Sequence, residues 1–200
     1  MRDGAETAMV LLMGGKSSRM GTSKAYLTWE GEPFWQRIAR EMAGCGPLYL
    51  SVAADFADPE LSSSYRLIRD EVEAAGPMGG LLSVMGSLSE DAFFICACDM
   101  PLMSRGYIRR LLRLWQERQG EWDGLMVKSA GGRIYTTAGI YHRRLLPAVR
   151  ERIAVGNYRM MALLRDSRIW YLPEEELGED QKALTNLNTM EEYRAIHGMV

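Results

Sequence analysis

The stretch that most narrows the possible folds is Ala92–Cys98, Ala-Phe-Phe-Ile-Cys-Ala-Cys, seven apolar residues that stop at Asp99. A run this short, unbroken and cut off by a polar residue reads as a core strand. The same reading fits Ala8–Met13, Leu48–Ala53 and Arg66–Arg69, the last of which ends at Asp70. Helical patterns separate these strands. Pro33–Ala43 has Pro at its first turn and Gly44 past its end, and Pro77–Leu88 is opened by Pro77. Ser104–Glu117 offers Ser104 as N-cap and an apolar stripe of Ile108, Leu111, Leu112 and Trp115. Strand–helix alternation through about residue 118 implies right-handed βαβ units on a mostly parallel sheet, an α/β fold. Ligands on such sheets sit at the carboxyl ends of the strands. Residues 14–21, Ser51–Ala54, Asp70 and Asp99 all follow strand ends, so they are expected on one rim.

Beyond residue 118 the pattern loosens. Gly124–Ser129, Ile134–Tyr141 and Ile169–Leu172 read as strands, and Leu145–Ile153, Tyr158–Leu164 and Thr189–His197 as helices. The acidic stretch Pro173–Lys182 reads as a loop. A chain of 200 residues suits one domain, here 8–200 after a tail of 1–7. The net charge of −2 excludes a general electrostatic nucleic-acid binder, so any affinity for anions is local. No apolar run reaches the roughly 18 residues of a membrane span, and no signal-peptide pattern precedes Gly14. A cytoplasmic protein with no membrane partner is expected. The three cysteines, two of them on one strand, form no disulfide framework and read as buried, inert thiols.

The break after the first strand, Gly14-Gly15-Lys16-Ser17-Ser18-Arg19-Met20-Gly21-Thr22-Ser23-Lys24, carries the chemistry. Two glycines free the backbone to approach a ligand, and successive N–H groups in such a turn form a concave anion nest. Lys16, Arg19 and Lys24 add positive charge. A P-loop would need glycine at Val10, and a dinucleotide fingerprint would need glycine at Lys16. What remains is a polyphosphate cradle of another kind or a solvated strand–helix turn with ordinary surface lysines. Gly76, Gly79 and Gly80 allow either close approach over a base or ribose or close helix–strand packing. Asp99 suits Mg²⁺, which takes one or two carboxylates and fills its shell with phosphate and water; the plain alternative is a turn aspartate before Pro101.

Leu12–Lys24 resembles the signature loop of the molybdenum cofactor guanylyltransferase family, nucleotidyltransferases of the group that activates sugar phosphates. Gly76-Pro77-Met78-Gly79-Gly80-Leu81, Cys98-Asp99-Met100-Pro101 and Asn186-Leu187-Asn188-Thr189 resemble further family segments in the family's order, from about residue 8 to 195. The resemblance implies a three-layer Rossmann-like domain of the nucleotide-diphospho-sugar transferase type, with 8–118 as nucleotide-binding half and 119–200 as acceptor half. It implies transfer of GMP from GTP to the terminal phosphate of molybdopterin with release of pyrophosphate. Cytidylyl transfer, sugar-phosphate activation and a non-catalytic nucleotide sensor are the alternatives. By resemblance Arg19, Lys24 and Asp99 are catalytic. Leu12, Met13, Gly14, Gly15, Arg19, Lys24, Ser51, Asp70, Gly79 and Asp99 bind the nucleotide. Asp99 and Asn188 hold Mg²⁺, with Asn186 in support. Contact with molybdenum cofactor biosynthesis proteins or molybdoenzymes is implied in the same way. His142, Arg143, Arg144, Tyr158 and Arg159 either meet an anionic, planar acceptor or form a solvated helix face. The family commonly has alanine at Met13, asparagine near Ser51, a His-Pro or Gln-Pro pair near Tyr135 and proline at Met190.

Overall fold

A computed structural model describes residues 6–13, 24–118 and 120–187. Its strands are β1 (Thr7–Leu12), β2 (Thr28–Trp29), β3 (Glu32–Pro33), β4 (Leu48–Val52), β5 (Arg66–Arg69), β6 (Ala92–Ala97), β7 (Gly124–Lys128), β8 (Ala138–His142) and β9 (Ile169–Pro173). Its α-helices are α1 (Phe34–Met42), α2 (Pro59–Ser64), α3 (Pro77–Ser87), α4 (Arg105–Glu117), α5 (Leu146–Ala154) and α6 (Met160–Arg165). Seven strands form one sheet in the order β5-β4-β1-β6-β8-β7-β9. β1 pairs in parallel with β4 and β6, β4 with β5, and β7 with β9. β8 is antiparallel to both β6 and β7. All seven except β8 therefore point the same way, and the residues after 118 extend the same sheet.

Two-residue periodicity sends alternate side chains to opposite faces. Met9, Leu11, Leu50, Phe94 and Cys96 pack under α1 and α4, against Ile38, Met42, Tyr107, Leu111 and Trp115. Ala8, Val10, Leu12, Phe93 and Ile95 pack under α3, α5 and α6, against Met78, Leu81, Met85, Val149 and Leu163. The result is the expected three-layer α/β domain with a mostly parallel sheet. Burying a Phe contributes about 1.5–3 kcal/mol. Phe93 and Phe94, both 0% exposed, thus anchor β6 from its two faces, and β6 delivers Asp99.

Most expected elements form within a residue or two of their sequence limits, and Ser104 caps α4 by accepting from Tyr107 N–H at 3.1 Å. Four regions differ. The strand expected over Ile134–Tyr141 shortens to Ala138–His142, because Ile134 makes only an isolated bridge to Lys128 and Thr136 N–H turns back to Ile134 O. The Pro173–Lys182 loop is instead a 3₁₀ run, Glu174–Leu184, broken at Gly178. Its Leu177, Ala183 and Leu184 are buried, and Arg110 of α4 donates to Glu176 O. The β2–β3 hairpin turns through Glu30 and Gly31, both at positive φ (51° and 82°), and α2 is capped by Asp58 accepting from Leu61 N–H. Cys45 departs from the buried thiols Cys96 and Cys98, being half-exposed with its Sγ toward Glu41 O. The helix expected over Thr189–His197 lies outside the described residues. Among the described residues, no helix is long and apolar enough to cross a membrane.

Candidate functional site

The carboxyl ends of four parallel strands meet along one rim. Register pairs Leu12 with both Ser51 and Ala97, and Val52 with Arg69. Main-chain bonds continue past the strand ends and tie the loops together. Met13 N–H donates to Ser51 O at 2.8 Å, Asp70 N–H to Val52 O at 2.8 Å, and Cys98 N–H to Leu12 O at 3.1 Å. Leu12, Met13, Ser51, Asp70 and Asp99 are thus brought together, as the strand-end rule requires.

Ser51 is 1% exposed, and its hydroxyl donates to Asp70 Oδ1 at 2.8 Å. Burial raises the pKa of the Asp70 carboxyl, and the Ser51 hydroxyl opposes that shift by favouring the charged form. The first turn of α3 lies over this pair. A Cβ on Gly80 would come within 2.8 Å of both Leu12 Cδ2 and Ser51 Oγ. One on Gly79 would stand 3.0 Å from Ala75 Cβ and 3.1 Å from Val72 O. Gly76, at φ 57° and ψ −143°, starts the helix in a backbone region open to glycine alone. Close packing therefore accounts for Gly80, against β1 and β4, and for Gly79, against the loop that precedes α3.

Asp99 is half-buried in the turn after β6. Leu187 N–H donates to Asp99 O at 2.9 Å, which fixes the Asn186–Leu187 segment beside it. The adjacent Asn186 has a buried Oδ1 with no hydrogen-bond partner among the described residues. A carboxylate and a buried amide oxygen on neighbouring segments are hard donors of the kind Mg²⁺ takes, so these residues fit the cation. Gly14, Gly15, Arg19 and Asn188 lie outside the described residues, and only the backbone of Lys24, which opens the 3₁₀ turn Lys24–Tyr26, is described.

Three basic candidates are drawn into the fold. β8 runs antiparallel, so His142 pairs with Ala92 at the opposite end of β6 from Asp99. His142 Nδ1 accepts from Arg144 N–H. Arg143 donates to the carbonyls of Met85, Leu88 and Glu90 and lies over the Phe93 ring at 5.4 Å. Arg144 donates to Gly120 O and Trp122 O and pairs with Asp123 at 3.5 Å. The Arg143 guanidinium is thus held inside the fold, whereas Arg144 stays exposed and makes its bonds at the surface. Arg159 lines a cavity of about 380 Å³ between α5 and α6, together with Arg152, Asn157 and Arg165. Tyr158 is exposed.

Sequence reasoning missed Ser83, 0% exposed, whose hydroxyl accepts from Glu71 N–H at 2.9 Å and donates to Gly79 O at 3.0 Å. A lone hydroxyl inside the apolar run Leu81-Leu82-Ser83-Val84-Met85 was the available signal.

The MobA-like NTP transferase domain model matches residues 9–170. A probable molybdenum cofactor guanylyltransferase from Mycobacterium avium is 31% identical, with 98% of each chain covered. One from a Geobacillus species is 27% identical over 93% of this chain and 95% of its own. Among solved structures, molybdopterin-guanine dinucleotide biosynthesis protein A from Archaeoglobus fulgidus superposes with a TM-score of 0.83. It is 18% identical, with 96% of this chain and 98% of that one covered, a likeness of fold. With a family model spanning most of its length and a near-full-length relative, the chain belongs to the MobA-like NTP transferase family and is a nucleotidyltransferase.

Proposed function

We propose that this nucleotidyltransferase moves GMP from GTP to the terminal phosphate of molybdopterin and releases pyrophosphate. The observation that carries the reading is the rim itself. One strand end presents a half-buried carboxylate, Asp99, beside the Asn186–Leu187 segment, and two neighbouring strand ends present the Ser51–Asp70 pair under the glycines of α3. The guanylyltransferase names of the Mycobacterium and Geobacillus relatives support the choice of base and acceptor.

The reaction is an in-line displacement at the α-phosphorus of the nucleotide. The attacking oxygen belongs to a phosphate monoester, whose second pKa is about 6, so it is largely ionised at pH 7. No strong general base is then needed, in keeping with a histidine, His142, that sits at the far end of the sheet. The barrier is repulsion between two anions and charge accumulating on the leaving pyrophosphate, so fixed positive charge and alignment do most of the work. Main-chain amides of Gly14 and Gly15 hold the nucleotide, while the Met13 N–H, already donated to Ser51 O, anchors the start of that loop to β4, and Leu12 ends the strand that leads into it. Arg19 grips phosphate oxygens in a bidentate fashion and Lys24 meets them as a point charge. Asp70 accepts hydrogen bonds from the nucleoside, and Gly79 lets the first turn of α3 lie close to it. Asp99 and Asn188 hold Mg²⁺, with the Asn186 amide behind them. When bound, the cation neutralises and aligns the phosphoryl oxygens. Residues 8–118 form the nucleotide half and 119–200 the acceptor half, and the product passes to molybdenum cofactor biosynthesis proteins or molybdoenzymes in the cytoplasm.

Pyrophosphate release tests this reading. Assays with GTP, CTP, ATP and UTP, each with and without Mg²⁺ and molybdopterin, are expected to give release with GTP alone and only when both additions are present. Release with CTP in place of GTP replaces guanylyl by cytidylyl transfer. Absence of release with every nucleotide contradicts the enzymatic reading and favours a sensor.

A further inference from the structure

We propose that Ser83, buried in α3, is a positioning residue for the nucleotide, acting with Ser51 to fix Asp70; the inference rests on the nucleotide reading above. Asp70 is held at three points. Its N–H donates to Val52 O at 2.8 Å, which fixes the entering peptide. Its carboxylate accepts from the Ser51 hydroxyl at 2.8 Å, which fixes the side chain. The peptide leaving it is fixed by Glu71 N–H donating to Ser83 Oγ at 2.9 Å. Only the first of these bonds belongs to the sheet. The other two depend on single hydroxyls that a change to alanine removes.

Ser83 does more than cap one amide. Its hydroxyl proton goes to Gly79 O at 3.0 Å, one helical turn back. A Ser hydroxyl bonding the carbonyl four residues back is common in helices and of little consequence alone. Here the same oxygen also receives the N–H after Asp70, so one atom couples the loop carrying the carboxylate to the helical turn carrying Gly79. Gly80 closes the unit from the other side, because its missing side chain leaves the space that Ser51 Oγ and Leu12 Cδ2 occupy. The loop after β5 and the start of α3 therefore move together. Losing the hydroxyl leaves the Glu71 N–H without its acceptor and frees the two segments to drift apart.

Double-mutant analysis separates this role from plain support of the fold. GTP affinity by titration calorimetry, KM for GTP, kcat at saturating GTP and the melting temperature are measured for Asp70→Ala, Ser83→Ala and Asp70→Ala/Ser83→Ala. Ser83→Ala is expected to weaken GTP binding and raise its KM by about fivefold to tenfold, the scale of one hydrogen bond. kcat at saturation and KM for the acceptor are expected to stay within about twofold of the parent, because the hydroxyl touches no reacting atom. In the Asp70→Ala background the same change is expected to shift GTP affinity by less than about twofold. An equal effect in both backgrounds, or unchanged GTP affinity in Ser83→Ala when Asp70→Ala weakens it, overturns the positioning role alone. Unchanged GTP affinity in Asp70→Ala itself overturns the nucleotide reading and the inference with it. Should Ser83→Ala fold poorly, the near-isosteric Ser83→Cys, whose sulfur is a weaker acceptor for Glu71 N–H, enters the same cycle, with the same results deciding.

Discussion

Replacing Asp99 by Asn is expected to lower kcat about a thousandfold while leaving the melting temperature near its original value. Asparagine has nearly the shape of aspartate, and the main-chain bond from Leu187 N–H to Asp99 O is indifferent to the side chain. β6 is anchored from above and below by Phe93 and Phe94, so the turn that follows stays in place. What changes is the charge at the strand end, on which the proposed cation site depends. A thousandfold loss corresponds to about 4 kcal/mol of transition-state stabilisation. Steady-state pyrophosphate release at saturating GTP, with Mg²⁺ varied, provides the check. Turnover within tenfold of the parent, at an unchanged Mg²⁺ requirement, would remove Asp99 from the centre of the chemistry.

Gly139→Ala is expected to be the most damaging single methyl group in the central sheet, costing about 3 kcal/mol. Gly139 sits in β8 opposite Ile95 of β6. An added Cβ would lie 2.6 Å from Leu125 O and 2.6 Å from Met126 Sδ. The thioether can swing aside, but the carbonyl belongs to the backbone of β7, which is paired on its other edge with β9. β8 is in turn held at its first residue by the Tyr107 hydroxyl, which donates to Ala138 O. Relief therefore requires prising two strands apart. For a domain this size about 3 kcal/mol corresponds to a melting point lower by roughly 10 °C. Gly86→Ala is the control. Its Cβ would meet only Glu71 Oε1 at 3.7 Å, on an exposed face of α3, where alanine favours helix. Calorimetric melting of the two variants should separate them widely; equal melting points would mean that β8 is free to shift.

The parts of this fold that were legible in the sequence are those where one chemical signal decides the structure locally. Ala92–Cys98 could only be a buried strand, and Ser104 ahead of a clean apolar stripe could only begin a helix. Asp70 and Asp99 were visible as site candidates because each ends an apolar strand, and parallel pairing then puts them on one rim. What escaped depends on partners far away in the chain. Nothing within Ala138–His142 says that this strand runs antiparallel between β6 and β7, yet that direction carries His142, Arg143 and Arg144 to the end opposite Asp99. In the sequence they could be an acceptor surface or a solvated helix face, because the carbonyls of Met85, Leu88, Glu90, Gly120 and Trp122 that take the two guanidinium groups are remote in sequence. The acidic stretch after Pro173 looked like a loop because its anchors, Leu177 and the pair Ala183–Leu184, are sparse among glutamates. Ser83 was overlooked for the same reason, since its value lies in meeting Glu71 N–H, twelve residues earlier.

A nucleoside triphosphate is expected to lie along the rim, its phosphates between the loop that follows Met13 and the Asp99 carboxylate. A crystal structure of the protein with a non-hydrolysable GTP analogue and Mg²⁺ tests it most directly. The expected density puts the triphosphate between that loop and Asp99, the metal on Asp99, and the nucleoside against Asp70 and the first turn of α3. Triphosphate density elsewhere, for instance in the α5–α6 cavity lined by Arg152, Arg159 and Arg165, with Asp99 bearing no metal, would contradict it.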